Sequence, residues 1–88
     1  MYQVYILQSQ KDKRTYVGFS EDAEGRLKEH NIGKVKATKN RRPLVILMME
    51  ECKTLAEAKI RELYWKSGGG RRKIKDYFIK GFPPIQKF

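Results

Sequence analysis

The stretch VYILQSQKDKRTYVGFSEDAEGRLKEH, residues 4–30, decides how the chain is read. It opens on Val4-Tyr5-Ile6 and, after a polar and charged interval, reaches Tyr16-Val17-Gly18. Aromatic and β-branched runs of this kind suit a pleated, half-buried surface. Tyr2 to Leu7 is the expected first strand and Thr15 to Phe19 the second, with Gln8 to Arg14 as the hairpin loop between them. Gly18 inside the second run marks either a bulge or a place where a ligand comes close to the backbone. Ser20 is the expected N-cap of a helix, and Glu21 and Asp22 suit the positive end of its dipole. That helix should reach His30 or Asn31 and stop near Gly33. Its apolar content is thin, mainly Ala23 and Leu27, and Gly25 within it costs about 1 kcal/mol relative to alanine. Arg26 and His30 lie one turn apart and share a face. That face serves something other than packing.

Beyond this stretch, Gly33 to Arg42 reads as a basic loop carrying Lys34, Lys36, Lys39, Arg41 and Arg42. Pro43 closes it, and the continuous apolar run Leu44 to Met49 suggests a strand buried on both sides. Thr54 with Glu57 three residues on has capping-box spacing for a second helix. This helix is expected to run to about Ser67 and to end at Gly68-Gly69-Gly70. A third helix from about Arg71 to Ile79 places Ile74, Tyr77 and Phe78 on one face. The order β-β-α-β-α-α predicts an α+β fold, a small three-stranded and mostly antiparallel sheet flanked by helices. The Val4 strand or the Leu44 strand should be central. Residues 1–80 form one domain, and 81–88 form a tail that lies over it or frays.

Twenty Lys and Arg against ten Asp and Glu leave a net charge of +10. So strong a positive field on a small body points first to nucleic acid and second to an anionic membrane. No apolar run approaches the roughly 18–20 residues that span a bilayer, so no membrane partner of that kind is expected. The single cysteine, Cys52, excludes an internal disulfide and fits a reducing, cytoplasmic location. The chain enters its first strand without a charged signal region.

At these spacings the chain resembles the GIY-YIG nuclease superfamily, in the style of small standalone members akin to the amino-terminal domain of the excinuclease C subunit. Val4-Tyr5-Ile6 and Tyr16-Val17-Gly18 stand for the two signature triplets, with valine replacing the leading glycine of the first. Arg26 follows the second tyrosine by ten residues, His30 comes one turn later, and Glu62 sits on a later helix. The resemblance implies that Tyr5, Tyr16, Arg26, His30 and Glu62 are catalytic and that Glu62 holds one divalent metal, Mg²⁺ or Mn²⁺. In that reading Tyr5 takes a proton from the attacking water and Tyr16 orients water or phosphate, though the two roles could be exchanged. Arg26 grips the phosphate with its planar fork, and His30 assists proton transfer or binds phosphate. A tyrosine with its usual pKa near 10 must be shifted by about two units, some 2.7 kcal/mol, to serve as a base near neutrality. Arg26, a metal and the basic background are the expected sources of that shift. Glu62 itself is ambiguous by pattern. A stripe of Ala56, Ile60, Leu63 and Tyr64 leaves it outside, whereas a stripe of Leu55, Ala58 and Trp65 turns it toward the sheet.

The expected activity is metal-dependent hydrolysis of phosphodiester bonds in DNA, in repair or recombination. Lys34, Lys36, Lys39, Arg41, Arg42, Lys66, Arg71, Arg72 and Lys73, with Lys75 beside them, are the expected phosphate contacts. Such contacts give affinity without sequence preference. RNA stays open as a substrate, and a partner protein or a homodimer could add specificity. The rival expectation is a nucleic-acid-binding module of the same fold with little turnover.

Overall fold

Val4 and Ile6 point to one face of their strand and Tyr5 and Leu7 to the other, and all four are buried. This strand, β1 (Tyr2–Ser9), is therefore interior on both sides. The computed structural model describes residues 1–88. β1 pairs antiparallel with β2 (Thr15–Ser20) along one edge and with β3 (Leu44–Cys52) along the other. Helix α1 (Ala23–Asn31) follows β2, and a 3-10 turn at Lys39–Arg41 interrupts the loop before β3. Helices α2 (Leu55–Lys66) and α3 (Gly68–Lys80) follow β3.

The α+β class stands, but the sheet has four strands in the order β2-β1-β3-β4, not three. The added strand, β4 (Ile85–Lys87), lies parallel to β3 with Met49 opposite Ile85. Three residues after a Pro-Pro pair carry no readable alternation; the free edge of β3 recruits them. The Phe88 amide donates to the Glu51 carbonyl at 2.9 Å, and the Arg61 guanidinium lies 4.7 Å over the Phe88 ring. With four strands, β1 and β3 are both interior.

One core fills each face of the sheet. Val4, Ile6, Val17, Met48 and Cys52 pack against Ala58 and Trp65 of α2 and Ile74 of α3. On the opposite face Tyr5, Leu7 and Leu44 meet Ala23, with Tyr16 and Leu27 packed alongside. Glu50, which is buried, fastens α2 to β3: Arg61 donates to its two oxygens at 2.8 and 3.0 Å, and the Trp65 indole donates at 3.2 Å. Two anchors one turn apart fix the rotation of the helix. Ala58 and Trp65 turn inward while Ile60 and Leu63 stay 62% and 68% exposed, so the second stripe faces the sheet in part: its Leu55 stays 40% exposed, Tyr64 of the first stripe packs against the core, and Glu62 is partly buried.

Helix boundaries differ in two places. Asp22, rather than Ser20, caps α1 by accepting from the Gly25 amide at 3.1 Å, while Ser20 Oγ accepts from the Asp22 amide one turn earlier. A Cβ at position 25 would run into the Asp22 carboxylate, so the glycine clears the cap. The glycine triplet does not end α2. Ser67 closes α2 through its own amide and caps α3, and Gly68-Gly69-Gly70 forms the first turn of α3. A Cβ on Gly70 would lie 2.5 Å from Trp65 Cα and closer still to the Tyr64 carbonyl oxygen. Only glycine lets the two helices meet so tightly.

Gly70→Ala is expected to destabilise the protein by about 3 kcal/mol, because backbone must move to admit the methyl group. Gly69→Ala, whose Cβ would meet nothing nearer than 3.9 Å, should be neutral or stabilising by up to about 1 kcal/mol. Urea denaturation of the two variants checks the contrast.

Candidate active site

Tyr5 stands directly opposite Gly18 in the β1–β2 register. A Cβ on Gly18 would lie 2.6 Å from the Tyr5 hydroxyl oxygen and 2.8 Å from Cζ. The phenol therefore lies across bare backbone. Gly18 makes room for a side chain of the protein itself, not for a bulge or an incoming ligand; the register shift of the sheet falls elsewhere, on the β3 side between Ile6 and Leu7.

From that position the Tyr5 hydroxyl reaches His30 Nε2 at 3.2 Å, and His30 Nδ1 lies 2.7 Å from Thr38 Oγ1. Thr38 Oγ1 donates to the Val35 carbonyl at 3.5 Å, so it accepts from the imidazole. This assignment puts the proton on Nδ1 and leaves Nε2 to accept from Tyr5. With its proton directed at His30, Tyr5 turns its lone pairs away from the imidazole. The Tyr16 ring meets the same imidazole edge-on at a centroid distance of 5.1 Å.

Burial raises the Tyr5 pKa above its ordinary value; the nearby Arg26 guanidinium opposes this, and Tyr16 and Glu62 add to the rise. The expected lowering is thus absent in the free protein, because desolvation of the phenolate outweighs the single nearby cation. Burial, helped by Arg26, holds His30 below the usual imidazole range. Both members of the pair are neutral at pH 7.

Arg26 is partly exposed and donates to Glu29 at 3.0 Å, a surface pair within its own helix. Such pairs are weak and readily exchanged for a phosphate. Glu62 comes round the β2 edge of the sheet on α2, pairs with Lys66 at 3.5 Å, and acts on the Tyr5 phenol through its charge. Tyr5, Tyr16, Arg26, His30 and Glu62 thus converge from β1, β2, α1 and α2. No group of three or more His, Cys, Asp or Glu forms a ready cation cage. Glu62 is the one carboxylate of the group, and a hard oxygen donor of that kind suits Mg²⁺, which completes its shell with waters and phosphate.

The basic residues divide. Lys34, Lys36, Lys39 and Arg42 are exposed in the loop, Arg71, Arg72 and Lys73 are exposed on α3, and Lys66 is exposed beside Glu62. Arg41 is committed to structure: its Nε binds Asp12 at 3.1 Å and its Nη2 the Thr15 carbonyl at 3.4 Å. Thr38, fully buried behind His30, is a part of the site that the sequence does not mark, because a threonine among lysines carries no signal.

Two outcomes follow from this geometry. Gly18→Ala should displace the phenol, cost about 1–3 kcal/mol, and change the His30 ring nitrogen shifts in NMR spectra. His30, with its folded pKa depressed, binds fewer protons folded than unfolded, so unfolding free energy should fall as pH drops below about 6.5. His30→Gln should lose that slope between pH 7 and 5, measured by urea titrations at each pH.

The GIY-YIG catalytic domain matches residues 1–77. The UPF0213 protein SH2523 of Staphylococcus haemolyticus is 38% identical over 73 residues, covering 82% of this chain and 88% of its own. The UPF0213 protein YazA of Bacillus subtilis is 39% identical over 71 residues, covering 80% and 70%. The solution structure of the UPF0213 protein BH0048 from Bacillus halodurans superposes with a TM-score of 0.55 at 32% identity, over 94% of this chain and 89% of that one. Domain match, relatives and fold agree with the converging tyrosines, arginine, histidine and glutamate: the chain belongs to the GIY-YIG family of nuclease domains.

Proposed function

We propose that this protein is a metal-dependent endonuclease that hydrolyses phosphodiester bonds in DNA, of the kind used in repair or recombination. The observation that carries the reading is the Tyr5 hydroxyl, buried across Gly18, bound to a neutral His30 and within the fields of Arg26 and Glu62. A tyrosine kept only for packing has no need of two opposite charges beside it. Glu62 would hold Mg²⁺ or Mn²⁺, and the ion would supply positive charge at the phosphate oxygens and toward the phenol.

The remaining work belongs to the chain. Arg26 leaves Glu29 and grips the non-bridging oxygens, stabilising charge as it develops. Tyr5 passes its own proton to His30 Nε2 as its pKa is brought down toward neutrality, and the phenolate then accepts the proton of the attacking water, with the link to His30 holding the phenol in place. Tyr16, packed on the same imidazole, orients water or phosphate. Exposed lysines and arginines hold the substrate backbone, and the +10 charge draws it in. No helix is long and apolar enough to cross a membrane.

Glu62→Ala should retain the fold, since Glu62 and Lys66 pair at the surface. It should lose Mg²⁺-dependent cleavage of nicked, branched or linear DNA by at least about 10²-fold. Arg26→Lys should lose activity by a comparable factor, because a point charge cannot replace the bidentate fork. Product analysis on gels with and without Mg²⁺, with RNA in parallel, checks both. Tight binding by wild type and Glu62→Ala with no cleavage of any substrate would mean a binding module instead.

A further inference from the structure

We infer that Lys13 and Arg14, at the tip of the β1–β2 hairpin, join Arg71, Lys75 and Phe78 of α3 in a subsite that holds the nucleic-acid backbone on one side of the cleaved bond. The inference rests on the nuclease reading for its position and on charge and shape for its ligand.

The five residues line a cavity of about 370 Å³ between hairpin and helix. A second hollow of about 270 Å³ shares Thr15, Arg71 and Ile74 with it and continues to Tyr16 and Lys66. The two make one channel along the outer edge of β2 that ends at a site tyrosine and at the partner of Glu62. All the ion pairs of the protein take Arg26, Arg41, Arg61, Lys66 or Lys80. None takes a cation of the outer hollow. Four unpaired positive groups facing one cavity await a polyanion, and the half-exposed Phe78 ring, braced edge-on by Phe82 at 4.9 Å, offers an apolar ledge for a sugar or base.

The hairpin tip is built to hold its cations still. Buried Ser9 accepts through Oγ from the amides of Lys11 and Asp12, both at 3.1 Å. Asp12 accepts from the Arg14 amide at 2.9 Å and is itself tied to Arg41. Lys13 has φ +63°, a left-handed conformation that glycine adopts with less strain. A lysine kept there points to a use for its side chain. Arg14 precedes Tyr16 by two residues, roughly 7 Å along a strand. A DNA strand carries one phosphate per roughly 3.4 Å of axis, so the subsite contacts phosphates about two to four positions from the cleaved bond.

The test uses an oligonucleotide cut at one bond, with single neutral methylphosphonate linkages placed in turn on either side of it. Wild type should lose about tenfold in kcat/KM at two to four positions on one side only, as charge-dependent backbone contacts are removed. Lys13→Gly with Arg14→Gln should start about tenfold lower and be insensitive at those positions, and Arg71→Ala with Lys75→Ala, on a different element, should behave alike. Equal sensitivity on both sides, or double variants as sensitive as wild type, would overturn the subsite. Binding gives a second readout that needs no cleavage. Losing two phosphate contacts should flatten the slope of log K against log salt by about 1.4–1.8. An unchanged slope overturns the subsite even if the protein cuts nothing, and a flattened slope without cleavage leaves the subsite standing while the nuclease reading fails.

Discussion

The hydrogen bond between Tyr5 and His30 is the constraint around which the domain is arranged. It ties the interior strand β1 to α1, and both partners are buried, so removing either leaves a buried polar group unpaired. Its requirements spread outward. Gly18 must lack a side chain, Thr38 must come in behind the imidazole, and the loop between α1 and β3 must fold back to bring it there. Every buried side-chain nitrogen and oxygen of the protein finds a partner. The sparse apolar content of α1 has the same origin: Ala23 and His30 are its buried residues, and the imidazole occupies space that a leucine would fill in an ordinary amphipathic helix.

The opposite face of the sheet is organised by another polar group. Glu50 would be costly to bury alone; two bonds from Arg61 and one from Trp65 satisfy it. Arg61 also lies 4.6 Å over Tyr64 and 4.7 Å over Phe88, linking α2 to the last residue of the chain. A hydrophobic stripe alone leaves a helix some freedom to roll. A fork gripping a buried carboxylate removes it, and the orientation of Glu62 follows.

Much of this was legible in the sequence. Both hairpin strands, the long apolar strand, the N-cap at Thr54 and all three helices rest on local pattern, and local pattern decided them. The five candidate site residues were legible as a resemblance; in the structure Tyr5 and Tyr16 both meet His30, and Arg26 and Glu62 act on Tyr5 through their charge. What escaped depends on distant partners. The glycine triplet reads as a helix stop until Tyr64 and Trp65 are seen pressing on Gly70, and β4 exists because β3 had a free edge. Asp22 and Ser20 are both competent caps, and the choice between them lies in backbone geometry. Thr38 and Glu50 carry no periodic signal, since their roles are set by residues far along the chain. The raised pKa of Tyr5 was missed for a related reason: composition counts charges but not depth.

Distance along the chain has one more consequence. Tyr5 lies near the start and Glu62 on a helix much later, while the anchor that seats that helix, Glu50, comes between them. During translation the tyrosines, arginine and histidine leave the ribosome well before the carboxylate, and α2 cannot dock before it has been made. The cluster around Tyr5 is therefore completed late in synthesis, once Glu50 is in place to seat the helix that carries Glu62.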